Sequence, residues 1–274
     1  RTFWAHQYKD MLQLEKIIDK MIALLTQWGF VVASSDDFVS AADVETKKTR
    51  AIDVTPLGKR VAELYLDPYT AHRLVVCMMK SRVQPKEFGL LQAISHTLEM
   101  RPLLRLRVKD HEPVQQSLLA HNDELLEMEP NLYDPAYDEF LESVKTALFF
   151  SDWIEEKTEE QLLEMYSIRP GEIQSKIHAA DWLLYSLGEL LPYVRAHQFI
   201  AGVKKLRIRV QYGAKEELLT LLRFKGIGRV RARRLYKNGL KDVGDLRKVG
   251  VEQLARVVGK ATAESIKYEL GSLV

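Results

Sequence analysis

The amino-acid sequence predicts a mainly α-helical fold in three parts: a winged-helix domain with a small β-wing, a helical bundle, and a compact helix–hairpin–helix domain. Apolar residues recur at helical spacing along most of the 274 residues. Strand-forming pieces are short and confined to the N-terminal part, and glycines divide a basic C-terminal segment into short helices. We therefore expect domains at 1–68 (truncated at its N-terminal side), 69–213 and 214–274.

The N-terminal part follows the order helix, two short strands, helix. The stretch LEKIIDKMIALLTQWGFVV has helical apolar spacing and reaches Gly29, a residue favoured just after a helix. Strands are expected at residues 30–33 and 51–54, and Thr55 and Pro56 suit the N-cap and first position of the helix PLGKRVAELYL. This order is typical of the C-terminal half of a winged-helix domain, although any small α+β unit would share it.

Residues 67–213 carry almost only helical signal. Five stretches place apolar residues three and four positions apart, and prolines and glycines separate them. These stretches are FGLLQAISHTL, EPVQQSLLAHNDELLEM, PAYDEFLESVKTALFFSDWIEE, TEEQLLEMYSI and PGEIQSKIHAADWLLYSLGELL. The pattern predicts a bundle of six or seven helices, with its longest helix over about 170–191.

Trp182 lies on an unexpected side of that long helix. Apolar residues form one stripe along it: Ile173, Ile177, Ala180, Leu184, Leu187 and Leu191. At about 100° per residue, Trp182 falls opposite this stripe. Its face is shared with the polar residues Ser175, His178, Ser186 and Glu189. Two interpretations stay open: a second helix of the bundle buries the indole, or the indole is a stacking platform for nucleobases.

The stretch KGIGRVRARRLYKNG contains a second candidate site. Gly226, Ile227 and Gly228 predict a tight turn, because glycine adopts positive φ and allows close approach of a ligand to the backbone. A helix that begins directly after the turn offers N–H groups to a phosphate, and Ile227 would anchor the turn in the core. A weaker echo, VVGKATAESI, begins at Val257. The alternative is a plain capped turn followed by a solvated basic helix. The candidate DNA-binding residues of this stretch are Lys225, Gly226, Gly228, Arg229, Arg231, Arg233 and Arg234.

Charge is sorted along the chain although the net charge is only +2. Residues 214–274 hold 14 lysines and arginines against 7 acidic residues, whereas residues 121–165 hold 14 acidic residues against two lysines. Between Glu189 and Glu216 the sequence has no acidic residue, and Arg207 and Arg209 lie there. This sorting favours a polyanion as partner of the basic end, and we include both arginines among the candidate DNA-binding residues.

Several classes of function are disfavoured. No run of apolar residues is long enough to span a membrane, and RTFWAHQYKD does not resemble a secretory leader. The single cysteine, Cys77, forms no internal disulfide, and the scattered histidines suggest no metal site. The pieces LGKR and VGKA lack the first glycine and the hydroxyl residue of a phosphate-binding loop, so we expect no ATP hydrolysis and no catalytic residue here.

Three stretches in order, TPLGKRVAELYLDP, RPGEIQSKIHAADWLLYSL and GIGRVRARRLY, resemble the C-terminal half of the archaeal Hjm/HelQ-type superfamily II DNA helicases. The resemblance spans nearly the whole chain. It implies a winged helix, a bundle whose long ratchet helix lies across the exposed single strand, and a helix–hairpin–helix domain. Spliceosomal relatives append a β-sandwich that finds no counterpart here, which favours the DNA helicase branch.

The resemblance also implies roles for particular residues. Trp182 would stack on a base, and a basic partner is expected about two turns earlier, where this chain has Ser175 followed by Lys176. Whether Lys176 replaces that partner stays open. Arg231 and Arg233 match an Arg-x-Arg motif that would hold the strand after it leaves the bundle.

The implied function is that of an accessory region of an ATP-dependent 3′–5′ DNA helicase acting in replication-fork repair and recombination. Its expected partners are single-stranded and forked DNA, the motor domains of the same chain, and a sliding clamp or Holliday-junction resolvase, with a cytoplasmic, nucleoid-associated location and no membrane. ATP and magnesium would belong to motor domains outside this segment. The alternative is a protein-interaction scaffold that docks replication or recombination partners; a free-standing winged-helix regulator fits less well.

Overall fold

The computed structural model describes residues 11–34, 51–81 and 83–271. The start of the expected first domain, the polar stretch between its strands and the last three residues lie outside this part. The N-terminal unit consists of helix α1 (Met11–Gln27), strands β1 (Val31–Ser34) and β2 (Ala51–Val54), and helix α2 (Pro56–Glu63). The strands pair antiparallel, with Val31 opposite Val54. The order helix, strand, strand, helix is therefore confirmed.

Thr55 and Gly58 fix how α2 begins and where it packs. The Thr55 hydroxyl accepts from the Gly58 N–H at 3.0 Å, as an N-cap does, and donates to the Gly29 carbonyl at 2.7 Å. A Cβ atom on Gly58 would lie 2.0 Å from the Phe30 carbonyl oxygen. Only glycine therefore lets α2 approach β1 so closely. Phe30, which was expected to begin the first strand, is a buried residue just before it.

The middle part contains seven α-helices among its described residues, within the predicted number. They are α3 (Pro68–Lys80), α4 (Glu87–Ser95), α5 (His111–Ala120), α6 (Tyr137–Ile154), α7 (Glu159–Tyr166), α8 (Pro170–Leu190) and α9 (Ile200–Tyr212). Short 3₁₀ turns lie at Leu98–Met100, Val108–Asp110, Asn122–Glu124, Leu191–Val194 and His197–Phe199. The long helix expected over about 170–191 is α8.

The helical expectation was wrong for the second half of the stretch EPVQQSLLAHNDELLEM. Helix α5 ends at Ala120, and residues 121–136 contain only a 3₁₀ turn. Glu127 explains the path, because its carboxylate accepts hydrogen bonds from Arg73 and His96. Burial alone would raise the pKa of Glu127, but these hydrogen bonds outweigh it and hold the pKa below its ordinary value. The spacing of apolar residues favours a helix here, but these tertiary contacts hold residues 121–136 in a non-helical path.

The described residues of the C-terminal part form five short helices with a core of their own. They are α10 (Leu219–Leu222), α11 (Arg229–Lys237), α12 (Val243–Lys248), α13 (Val251–Val258) and α14 (Lys260–Gly271), preceded by a 3₁₀ turn at Glu216–Leu218. Ile227 is buried in this core, as expected, and so is Ala232. Gly226 has φ +78°. The helix before the turn, α10, ends at Leu222. Gly259, at the weaker echo, has φ +88° between α13 and α14.

Two hydrophobic cores organise these parts. One core is a single cluster of buried residues, of which Phe30 is the first along the chain and Val210 the last, so α2 and the bundle share it. The other runs from Ala214 to Leu270. The predicted mainly α fold with a very small sheet is confirmed. Within the described residues, no helix is both long and apolar enough to cross a membrane.

Gly213 joins the two cores. It ends α9 with φ +59°, and a Cβ atom there would lie 2.4 Å from the Trp153 ring. The Trp153 indole N–H in turn donates to the Val210 carbonyl at 2.7 Å. The indole therefore occupies the space that any side chain at position 213 would need.

We predict that Gly213→Ala lowers the free energy of unfolding by about 2–4 kcal/mol, since it adds a steric overlap with Trp153 and a strained positive φ. Gly171→Ala is the control, because Gly171 lies in the first turn of α8 with nothing within 4 Å of its Cβ position. Urea denaturation of both variants measures the difference. Equal stability of the two variants would contradict the close approach of Trp153 to Gly213.

Candidate nucleic-acid interface

Helix α8 buries the stripe that its sequence predicts. Ile173, Ala180 and Leu184 are at most 1% exposed, and Trp182 on the other side is half-buried. The exposed face is narrower than expected, because Ser186 is fully buried. Ser175 and His178 are exposed on this face.

Trp182 contacts the N-terminal unit. Its indole N–H donates to the Leu64 carbonyl at 3.1 Å, directly after α2. Arg60 of α2 forms an ion pair with Glu189, two turns further along α8. The indole therefore packs against a neighbouring element and keeps part of its surface in solvent. Its stacking on a base stays a prediction.

Tyr185 and Arg207 extend this face, and the sequence analysis did not single out Tyr185. The Arg207 guanidinium lies 4.8 Å from the centroid of the Tyr185 ring and donates to Asp181 at 2.8 Å. The Tyr185 residue is 38% exposed. Its position three residues after Trp182, on the same side of a helix, is the signal that could have identified it.

Lys176 does not share the exposed face of Trp182. Its ammonium donates to the Met100 carbonyl at 2.5 Å and to the Pro102 carbonyl, and only 8% of the residue is exposed. Burial lowers the pKa of Lys176. It holds the segment after the Leu98–Met100 turn against α8, so the structure gives it a role in packing. Ser175 remains at the surface.

Arg209 is a second cation that the structure turns inward. Only 5% of the residue is exposed. Its guanidinium pairs with Glu87 and Glu155 and donates to the Ala214 carbonyl at 3.1 Å. It therefore joins α4, the end of α6 and the start of the C-terminal part, and it is not placed where a nucleic acid could reach it.

Arg229 and Arg233 fasten the hairpin domain to the bundle. The Arg229 guanidinium lies 4.5 Å from the Trp153 ring centroid and donates to the Gly213 carbonyl, and burial lowers the pKa of Arg229. Arg233 donates to Glu156 at 2.8 Å and to Glu217 at 3.0 Å. Both side chains therefore point from α11 towards the bundle.

Glu156 is the residue on the bundle side that accepts the hydrogen bonds of Arg233. It follows α6 with φ +70°, and its carboxylate also accepts from the Lys215 backbone N–H at 3.1 Å. Burial alone would raise the pKa of Glu156, but the hydrogen bond from Arg233 and that backbone contact hold it below its ordinary value. The carboxylate is therefore stabilised in its charged form.

The other predicted hairpin residues face solvent. Lys225, Gly226, Arg231 and Arg234 are exposed, and Gly228 is half-buried at the start of α11. The Arg231 guanidinium donates to the Gly226 carbonyl at 2.7 Å. Because residues two apart on a helix point about 200° apart, Arg231 and Arg233 lie on different sides of α11. The structure thus separates the Arg-x-Arg pair into one exposed and one inward-facing residue.

Comparisons with known proteins match the bundle and the hairpin domain to two separate families. Residues 88–213 match the family "Archaeal helicase, domain 4", and residues 218–272 match the "SAM-like Helix-hairpin-helix tandem". The ATP-dependent DNA helicase Hel308 of Methanocaldococcus jannaschii is 34% identical over 98% of this chain and 20% of its own length. Hel308 of Pyrococcus abyssi is 32% identical over the whole chain and 36% of its own length.

The chain is thus similar to archaeal DNA helicases over a helical bundle that is followed by tandem hairpins. The resemblance to the C-terminal region of archaeal DNA helicases is confirmed, and the bundle and hairpin segments are similar to the two matched families. The chain spans 20% and 36% of the length of these two relatives.

We predict that Arg233→Ala lowers the free energy of unfolding by about 1–3 kcal/mol, because it leaves the partly buried Glu156 without its charged partner. Arg234→Ala removes the neighbouring exposed guanidinium and should change stability by less than about 0.5 kcal/mol. Denaturant unfolding of both variants checks this. Two equally small effects would show that the ion pair does not hold the domains together.

Proposed function

We propose that this chain is the DNA-guiding accessory region of an ATP-dependent 3′–5′ helicase that acts on forked DNA in replication-fork repair and recombination. The observation that carries the proposal is the match of the bundle to archaeal helicase domain 4, followed directly by tandem hairpins. The names of the relatives supply the activity: each is an ATP-dependent DNA helicase. ATP and magnesium belong, in this proposal, to motor domains outside the segment.

The exposed face of α8 supports a single strand as the ligand. Trp182 and Tyr185 present aromatic surface one turn apart, and Arg207 adds a cation against the phenol ring. Aromatic rings stack on any base, so such a face suits a motor that must move along every sequence. We assign the base-stacking role to Trp182 and place Tyr185 beside it along the strand.

The exposed edge of the hairpin domain supports a second contact. Lys225, Arg231 and Arg234 are cations at or beside the turn of Gly226 and Gly228. Contacts of this kind neutralise phosphates and do not read bases. We therefore propose these three residues as the backbone-binding set of the hairpin, and give Lys176, Arg209, Arg229 and Arg233 structural roles.

A protein-interaction scaffold is the second candidate. It is favoured by the acidic segment between α5 and α6, where Met128, Leu132 and Tyr133 are strongly exposed. Such a surface would suit a basic protein partner, including a sliding clamp or a Holliday-junction resolvase. A scaffold would bind its partner without a strong preference for single-stranded DNA, so the salt dependence of DNA binding separates the two candidates.

We predict that the chain binds unrelated single-stranded oligonucleotides with similar affinity and a steep salt dependence. Replacing both Arg231 and Arg234 by alanine should reduce the slope of log affinity against log salt by about 1.4, since each phosphate contact on a single strand contributes about 0.7. Fluorescence anisotropy at several salt concentrations gives the slope. The control replaces Lys16 and Lys20, two exposed cations of α1, and should leave it unchanged. An equal change in both double variants would mean that only net charge matters.

Trp182 is tested by a pair of substitutions. Trp182→Ala should weaken single-strand binding by about 1–3 kcal/mol, as expected for the loss of one stacking platform. Trp182→Phe should retain most of the affinity, because it keeps an aromatic face while it removes the hydrogen bond to the Leu64 carbonyl. Anisotropy and thermal denaturation are measured on both. If the two variants lose stability alike and keep the wild-type affinity, the indole is a packing residue only.

A further inference from the structure

Tyr65 is in a backbone conformation that disfavours its own side chain. It follows α2 with φ +56°. The Leu66 N–H donates to the Val61 carbonyl and the Tyr65 N–H donates to the Ala62 carbonyl, which is the Schellman arrangement that ends many helices. Glycine usually occupies the position of Tyr65 in this motif, because a side chain there is strained. The sequence analysis did not single out this residue.

Burial does not account for a tyrosine at this position. The Tyr65 residue is 89% exposed, whereas its neighbours Leu64 and Leu66 are 7% and 4% exposed and belong to the core. An aromatic ring in solvent contributes little hydrophobic stabilisation, and the backbone strain opposes it. The phenol ring therefore stabilises nothing inside the described fold that would compensate for that strain.

The location of Tyr65 connects it to the face of α8. Trp182 donates to the carbonyl of Leu64, the residue that precedes Tyr65, and Arg60 fixes α2 to α8 through Glu189. Tyr65, whose side chain is exposed, thus directly follows the residue that accepts a hydrogen bond from the half-buried indole. Tyr185, one turn along α8 from Trp182, is a further exposed ring.

We propose that Tyr65 is a second base-stacking residue, which extends the strand-binding face of α8 onto the N-terminal unit. The ligand is an unpaired nucleobase of a single strand that also contacts Trp182. The proposal rests on the proposed function. It goes beyond that function by adding a contact from a different domain, so that the strand bridges α2 and α8.

Charge near Tyr185 suits an anionic ligand. Arg207 lies over Tyr185, and Lys204, one turn earlier on α9, is exposed. Both come from the acid-free segment between Glu189 and Glu216. Aromatic rings beside such cations form the combination that binds bases and phosphates together.

The test uses a substitution that should weaken single-strand binding without lowering thermal stability. Tyr65→Gly removes the strain and should raise the thermal midpoint of the full chain or leave it unchanged. The same variant should bind a fluorescein-labelled oligothymidylate at least about fivefold more weakly, as expected for one lost stacking contact. Tyr65→Phe should retain the wild-type affinity, and Tyr65→Asn, which also tolerates positive φ, should behave like Tyr65→Gly.

Two controls make the result specific. Tyr133→Ala removes an equally exposed tyrosine from the segment between α5 and α6 and should not change affinity. A strand of the same length with abasic sugars in place of thymidines should bind wild type and Tyr65→Gly equally, because it has phosphates and no bases to stack.

The outcomes separate this proposal from the proposed function. If wild type binds the oligothymidylate and Tyr65→Gly binds it equally well, the stacking role of Tyr65 is refuted and the proposed function stands. A lower thermal midpoint of Tyr65→Gly with unchanged affinity would make Tyr65 a packing residue and likewise refute its role. If wild type shows no single-strand binding, the proposed function fails and this inference fails with it.

Discussion

Helix α8 must bury one apolar stripe along its whole length, and the arrangement of the other elements follows from how it does so. Ile173, Ala180 and Leu184 point into a core to which α2, the bundle helices and the segments between them all contribute. With that side committed, the opposite side is available for polar and aromatic contacts. Trp182 uses part of it to hold the end of α2. The position of the N-terminal unit and the exposure of the candidate stacking face are thus set by one helix.

The arginines of the chain fall into two groups: buried ones that pair with acidic residues, and exposed ones that could bind a phosphate. A guanidinium removed from water needs an acidic or carbonyl partner, because an unpaired buried charge is costly. Arg209 and Arg233 have such partners in Glu155 and Glu156. Arg231 and Arg234 stay in solvent, where a phosphate can replace water at little cost. The basic stretch of α11 is therefore both a fastening of the hairpin domain and a candidate DNA surface.

Features that depend on local chemistry could be predicted from the sequence. The Thr55 cap, the glycine turn before α11 and the stripe of α8 each need only neighbouring residues to form, and all three are present. The fold class follows from such features.

Some side chains that we expected at the DNA-binding surface instead bind partners far along the chain. Lys176 reaches the Met100 carbonyl, Arg209 reaches Glu87, and Arg233 reaches Glu156. Helical spacing states which side of a helix a residue occupies, but it does not state what covers that side. Ser186 shows the same limit, since a face that is polar in sequence is buried there. Tyr65 could not be identified from the sequence, because its unusual feature is a positive φ, which exists only in the folded backbone.

The acid-rich stretch of residues 121–165 also bears on the choice between a strand guide and a protein scaffold. Several of its carboxylates are engaged inside the fold: Glu127 with Arg73 and His96, Asp152 with Lys157 and Tyr166, and Glu155 and Glu156 with arginines of α9 and α11. A carboxylate that is paired internally contributes little field to an approaching partner. The acidic surface is therefore weaker than its sequence suggests, whereas Arg231 and Arg234 remain exposed on the basic side. This difference favours an anion as the partner, and hence the strand guide over the scaffold.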